Sequence, residues 1–222
     1  MGKKNYVLLA IQVIMIAAAG LWGGDTPFAL LTALIGIVFN FLVSINLAPG
    51  FLFGFVYAVC NGILAWQTDV YATFAFMIFM QAPMSLYSFR KWSSRKQEGD
   101  AIMKAMSRRQ VLRMLAGMTG LGIVMLGVLA ALNGAMNSGV FFDAVFFVCS
   151  VTACIGLAAC CKNAYIVNLA GGTGGALLWG WKAVTMGTGI SMAVFFAIVA
   201  LNSAIGVYQQ YFKESEQFNG KV

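Results

Sequence analysis

Residues 90–109 read RKWSSRKQEGDAIMKAMSRR and form the one long polar stretch of the chain. Arg90, Lys91, Arg95, Lys96, Lys104, Arg108 and Arg109 stand there against only Glu98 and Asp100. The sequence on both sides is apolar in runs near the 20 or so residues that a bilayer-crossing helix needs. Because basic residues collect in short cytoplasmic loops, this segment sets the orientation of whatever flanks it.

Working outward, apolar runs closed by Gly, Pro, Asn or charge predict eight membrane-spanning helices: 6–22, 28–46, 50–66 and 70–89 before the basic segment, and 110–133, 140–161, 164–181 and 188–212 after it. The breaks are short and carry turn formers, as in Gly23-Gly24-Asp25-Thr26-Pro27, Leu47-Ala48-Pro49 and Gln67-Thr68-Asp69, so successive helices run antiparallel. With the basic segment inside, Lys3, Lys4, Lys162, Lys213 and Lys221 also fall inside. Asp25, Asp69 and Asp143 fall at outer ends, and Lys182 is the only basic residue left outside. Both termini are then cytoplasmic.

Composition agrees. Of 222 residues 61% are hydrophobic and 9% charged, too few charges for a soluble surface. The chain has no histidine, which removes bis-His haem, His-bearing zinc sites and Ser-His-Asp triads. Net charge is +7, but its concentration in loops points to topology rather than to nucleic acid. Cys60, Cys149, Cys154, Cys160 and Cys161 lie in apolar runs without a CxxC pair, which fits packing residues and not a metal site. No cofactor is expected. Lys3-Lys4 followed by an apolar run and Ala17-Ala18-Ala19 imitates a signal peptide, yet Leu21 and Trp22 carry the run onward and favour an uncleaved helix.

Spans two to four and six to eight flank the fifth, so the two groups of three enter the membrane in the same sense, the geometry of a parallel repeat. Phe51-Leu-Phe-Gly54 with Leu64-Ala-Trp66 is matched by Tyr165-Ile-Val-Asn168 with Leu178-Trp179. Pro83, Tyr87 and Trp92 are echoed at the same spacings by Asn202, Gly206 and Tyr211. The expected organisation is an extra N-terminal helix (1–27), a first three-helix repeat (28–92), a basic loop and linker helix (93–139), a second repeat (140–212) and a cytoplasmic tail (213–222).

These residues resemble the PnuC family of vitamin-precursor transporters, best known for nicotinamide riboside uptake. The resemblance covers about residues 28–212 and rests on Pro83-x3-Tyr87-x4-Trp92, on Tyr165-x2-Asn168 with Leu178-Trp179, on Asn202-x3-Gly206 and on Asp143 opening the sixth span. It implies an all-α integral membrane protein of about eight helices, with a 3+1+3 layout like that of the SWEET sugar carriers. It further implies a bacterial inner-membrane location, homotrimeric assembly, and facilitated diffusion driven by intracellular phosphorylation of the substrate. The chain departs from commoner members in its extra first span and in Lys162-Asn-Ala-Tyr165, where many relatives carry an acidic residue and a tryptophan. Thiamine, riboflavin or another small organic solute, sugars included, stays open as substrate. A non-transporting membrane anchor and, behind it, an integral-membrane enzyme are the readings from other classes.

No ionisable residue is required deep inside any predicted span, which argues against proton or sodium coupling. Neutral polar and aromatic side chains remain, a set suited to nicotinamide riboside, a flat pyridinium cation joined to ribose. Trp179 is the expected stacking residue, with a lipid-interface role as the alternative. Asn168, Gln81, Asn202 and Asn61 are expected substrate-binding amides, each with interhelical hydrogen bonding as the alternative. Tyr57 is the next aromatic in line. Gln81 gains weight from Pro83, which lacks an N–H and opens the preceding turn. Gln12 and Asn40 are expected to be packing residues, and Gly171-Gly172-Thr173-Gly174-Gly175 a helix contact or hinge rather than a phosphate loop.

Overall fold

The computed structural model describes residues 3–44, 47–95, 105–134, 136–159, 161–208 and Tyr211. The middle of the basic segment, the tail from 212 onward, Asn46 and Cys160 lie outside the described residues. Every element among the described residues is helical: α1 (Lys3–Trp22), α2 (Pro27–Ser44), α3 (Gly50–Gln67), α4, α5 (Arg108–Asn133), α6 (Ser138–Ala158), α7 (Ala164–Met186) and α8 (Ile190–Tyr208). The fourth helix, α4, is continuous but compound, with Tyr71–Phe76 passing through a π-helical turn at Met77–Gln81 into Ala82–Arg95.

Local chemistry sets the boundaries. The linker helix α5 opens on a capping box: the Ser107 hydroxyl accepts from the Gln110 N–H at 3.4 Å, and the Gln110 side chain accepts from the Ser107 N–H at 2.8 Å. It closes on Gly134 in the left-handed conformation. Helix α6 is capped by Asn137, whose side chain accepts from the Val140 N–H at 2.9 Å. The π turn has a visible cause. Pro83 offers no N–H to the carbonyl one turn back, and the Ala82 N–H reaches to the Met77 carbonyl, five residues behind.

Among the described residues, six helices are long and apolar enough to cross a membrane: Pro27–Ser44, Gly50–Gln67, Tyr71–Ser94, Arg108–Leu132, Ser138–Ala158 and Ile190–Tyr208. The apolar part of α1, Tyr6–Trp22, is shorter. Helix α7 is long enough but carries Asn168, Gly171–Gly175 and Lys182 where the others carry aliphatic side chains. Its glycines make contacts instead. A Cβ on Gly172 would lie 2.8 Å from the Ala200 backbone nitrogen, so α7 and α8 meet backbone to backbone there.

Six helices close into a ring in which α2 packs on α3, α3 on α4, α4 on α6, α6 on α7, α7 on α8, and α8 back on α2. Helix α1 lies outside it against α2 and α8. The linker α5 lies outside against α6 and the start of α4, and Leu129 is the one buried residue among its described residues. The two groups of three thus meet at two seams, α8 against α2 and α4 against α6.

Each seam is pinned by a carboxylate. Asp25, just before α2, accepts from the N–H groups of Gly189, Ile190 and Ser191 at 2.6, 3.1 and 2.6 Å, capping α8. Asp143 of α6 accepts from the N–H groups of Ala72 and Thr73 at 3.0 and 3.1 Å and from the Thr73 hydroxyl at 2.6 Å, capping α4. Helix N-termini leave backbone donors unpaired and favour negative charge, so an acidic residue from the facing half satisfies both needs. Asp143 is a buried carboxylate inside a span, more than the sequence required. Its hydrogen bonds come from Ala72 and Thr73 at the α4 terminus, which makes it a capping group.

Lys182, the one basic residue expected outside, reaches the same end. Its Nζ donates to the Thr68 carbonyl, within electrostatic range of Asp69 and Asp143.

Candidate functional site

The ring encloses a cavity with about 780 Å³ of empty space, its open mouth included. Its walls run from the middle of the ring, at Tyr57, Phe76, Phe146 and Phe195, to the end where α2, α4 and α6 finish, at Val43, Ser88 and Leu157. That end also carries the described part of the basic segment. The opposite end is filled: Leu178, Trp179 and Met192 are wholly buried, and both carboxylate caps lie there.

Both halves supply the wall. Phe39 and Asn40 come from α2, Phe51 and Tyr57 from α3, and Gln81, Ser85 and Ser88 from α4. Phe146 and Ser150 come from α6, Asn168, Gly171 and Gly172 from α7, and Phe195 and Phe196 from α8. Among the described residues, no Asp, Glu, Lys or Arg lines the cavity. The result is an aromatic chamber with a few neutral hydrogen-bonding groups.

Three of the six expected residues meet in this cavity: Tyr57, Gln81 and Asn168. The Tyr57 ring stacks on Phe39, with centroids 6.1 Å apart and planes 26° apart, and tilts against Phe195 at 5.4 Å. Gly36 makes room for it, since a Cβ there would stand 2.7 Å from the tyrosine ring. Gln81 leaves the π turn toward the cavity and donates from Nε2 to the Ser85 hydroxyl at 3.3 Å. Asn168 donates from Nδ2 to the Ser203 hydroxyl at 2.8 Å, and Ser203 donates to the Val199 carbonyl. Each amide nitrogen spends one of its two N–H groups in this way, so Gln81 and Asn168 keep their carbonyl oxygens and one N–H each for a ligand.

The other three stand elsewhere. Asn61 is wholly buried and donates to the Tyr57 hydroxyl at 3.0 Å, so it acts behind the tyrosine. Asn202 lies between Gln12 and Asn40, accepting from the first at 2.9 Å and donating to the second at 3.4 Å. Trp179 is not brought to the cavity. It is wholly buried in the core at the closed end, with its ring against Gly189 and its indole N–H unpartnered. That position also sets aside the lipid-interface alternative, which needs an exposed ring. Trp181, two residues on, is the exposed one.

Two residues expected to be mere packing are more than that, since Asn40 lines the cavity and Gln12 is hydrogen-bonded toward it. Ser85 and Ser88 were missed although they follow Gln81 at helical spacing, the signal that could have found them. Nothing in the sequence singles out Ser150.

A family model described as nicotinamide mononucleotide transporter matches residues 26–210. Among solved structures, one titled as a crystal structure of the vitamin B3 transporter PnuC is similar to this chain. Its TM-score is 0.78 and its identity 18%, with 95% of this chain and 91% of that chain covered. No curated protein matches the sequence. At that identity the structural likeness speaks for the fold, and the family match, which spans most of the chain, speaks for kinship. The protein belongs to the nicotinamide mononucleotide transporter family, and with its ring of apolar helices around a neutral, aromatic cavity it is a membrane transporter rather than an enzyme.

Proposed function

We propose that the protein carries nicotinamide riboside, the unphosphorylated nucleoside, across the membrane through this cavity. One observation carries the choice: the described residues of the lining hold aromatic rings and neutral amides and no Lys or Arg. A mononucleotide would bring a phosphate into a largely apolar chamber, where an anion needs charge-assisted partners to offset the loss of water. A pyridinium ring needs the reverse, an aromatic face, and a desolvated cation over one is stabilised by up to about 2 kcal/mol. Tyr57 with Phe195 supplies that face in the centre of the ring. The carbonyl oxygens of Gln81 and Asn168 accept from the carboxamide N–H₂ or the ribose hydroxyls.

The two halves are a parallel repeat that rocks about the cavity. The register that sets Pro83 opposite Asn202 also sets Phe76 and Met77 opposite Phe195 and Phe196, and both pairs line the cavity. It further sets Ala72 opposite Ser191, and each gives its N–H to a carboxylate of the other half. With the basic segment cytoplasmic, the open mouth faces the cytoplasm and the capped end faces out. Substrate released inside is trapped by phosphorylation, which sustains facilitated diffusion without ion coupling.

Calorimetric titration of the purified protein tests the substrate against four ligands: nicotinamide riboside, nicotinamide mononucleotide, thiamine and riboflavin. Nicotinamide riboside should bind at least tenfold tighter than the others, and Asn168→Leu should weaken it by about tenfold. Equal or tighter binding of the mononucleotide would overturn the proposal.

A further inference from the structure

Helix α1 stands outside the ring, yet it touches the two helices, α2 and α8, that meet at one seam between the halves. Its side-chain hydrogen bonding there, among the described residues, is a single amide. Gln12, 5% exposed, donates from Nε2 to the Oδ1 of Asn202 on α8 at 2.9 Å. Asn202 donates from Nδ2 to the Oδ1 of Asn40 on α2 at 3.4 Å, and Asn40 lines the cavity. The three side chains make a relay from the outer helix to the cavity wall, crossing both halves.

The relay has a direction. An amide has one donating and one accepting end, so fixing one end fixes the other. Gln12 donates, and Asn202 must turn its oxygen outward and its N–H₂ inward. Asn40 then accepts with its oxygen, which leaves its N–H₂ for the cavity. Gln81 and Asn168 each spend one N–H inside the protein, whereas Asn40 keeps both of its N–H groups for donation. The Oε1 of Gln12 is buried with no partner, a cost that offsets what its one hydrogen bond contributes. A leucine would pack there without that cost, so the amide is not explained by stability.

We propose that α1 takes part in substrate selection: Gln12 is a positioning residue that sets Asn40 as a hydrogen-bond donor to an acceptor oxygen of the substrate, a ribose hydroxyl or the carboxamide oxygen. This rests on the nucleoside reading given above and adds to it a residue that touches neither cavity nor ligand.

The test is a double-mutant cycle on the full-length protein in detergent, read by calorimetric titration with nicotinamide riboside. Asn40→Ala should weaken binding by about tenfold and Gln12→Leu by about threefold to fivefold, the size of one misdirected hydrogen bond. The double variant should bind no more weakly than Asn40→Ala alone, because Gln12 acts only through Asn40. The melting temperature of Gln12→Leu should equal or exceed the wild type, which a purely structural role would not allow. Should Gln12→Leu fail to fold, Gln12→Met keeps the length and removes the donor, and should weaken binding as much. Unchanged affinity in Gln12→Leu or Gln12→Met, or additive losses in the double variant, would overturn the inference while leaving the substrate in place. No binding by the wild type would overturn the substrate reading and this inference together.

Discussion

Asp143 gives the clearest test of how the two halves are joined. Helix α4 starts after Val70 with no side-chain cap of its own, so its first donors depend on a residue from the other half. Replacing Asp143 by Ala leaves the Ala72 and Thr73 N–H groups and the Thr73 hydroxyl without an acceptor at a site that is 4% exposed. A lost N-cap costs about 0.5 to 2 kcal/mol, and a buried donor left unpaired about 1 to 3 kcal/mol. The hydroxyl can turn to a backbone carbonyl of its own helix, so two orphaned N–H groups set the loss at about 3 kcal/mol. For a chain of this size each kcal/mol moves the melting temperature by about 2 to 4 °C, so Asp143→Ala should melt about 6 to 12 °C lower. Asp143→Asn keeps one accepting oxygen and faces the second N–H with a donor, and should lose about half as much. Asp25→Ala should behave like Asp143→Ala, and the two losses should add because they free different helix ends. Thermal unfolding followed by intrinsic tryptophan fluorescence measures all four. A melting point within 1 °C of wild type for Asp143→Ala would show that α4 is not held this way and that the seam is maintained by apolar packing alone.

Trp179→Ala should lower stability by about 3 to 5 kcal/mol, as for a buried aromatic, while the protein that survives binds nicotinamide riboside within about threefold of wild type; a tenfold loss of affinity with full stability would return Trp179 to the binding site. Uptake into liposomes should be unchanged when proton and sodium gradients are collapsed, and accumulation above the external concentration without a trapping kinase would refute uncoupled transport. Ser94→Cys should resist an impermeant maleimide added outside intact cells and react once the membrane is opened; robust outside labelling would invert the topology.

How much of this was legible in the sequence depended on whether a feature lives in one dimension. Helix number and order did, because hydropathy and breakers such as Pro27, Pro49 and Gly134 act locally. The fourth helix was read as ending at 89 but runs to Arg95, since charge marks the end of the apolar core and not of the helix. Which face a residue presents was less accessible. The π turn at Met77–Gln81 inserts one residue per turn, so a 3.6-residue count carried across it points Gln81 the wrong way, and only Pro83 hinted otherwise. Trp179 illustrates the limit for aromatics. A tryptophan near a helix end is equally consistent with ligand, lipid and core, and what decides among them is the neighbour, Gly189 with φ +106°, on a turn ten residues later. Gln12 and Asn40 were passed over for a related reason, because an amide in an apolar run has no meaning until its partner on another helix is known.

The acidic residues show what charge alone can and cannot say. Asp25 and Asp143 were placed at outer ends from the charge split, which concerns the membrane and not the fold. In three dimensions each lies across a seam from its own group of three and holds the first turn of the other group's last helix. At the 119-residue register that pairs Ala72 with Ser191, Asp25 falls opposite Ala144, one residue from Asp143, although Asp25 stands before its helix and Asp143 inside. The helix termini they serve align as well, at Ala72 and Ser191. Both the unpaired backbone donors that begin α4 and α8 and the acids that meet them thus recur at nearly one register. Any carboxylate the facing half can deliver satisfies the same physics. Moving the closed end apart requires both caps to release or to travel with their helices, whereas the cavity end lacks such carboxylate caps among the described residues. The asymmetry makes opening toward the basic segment the easier motion, and weakening either cap should shift the balance toward the outward-open arrangement.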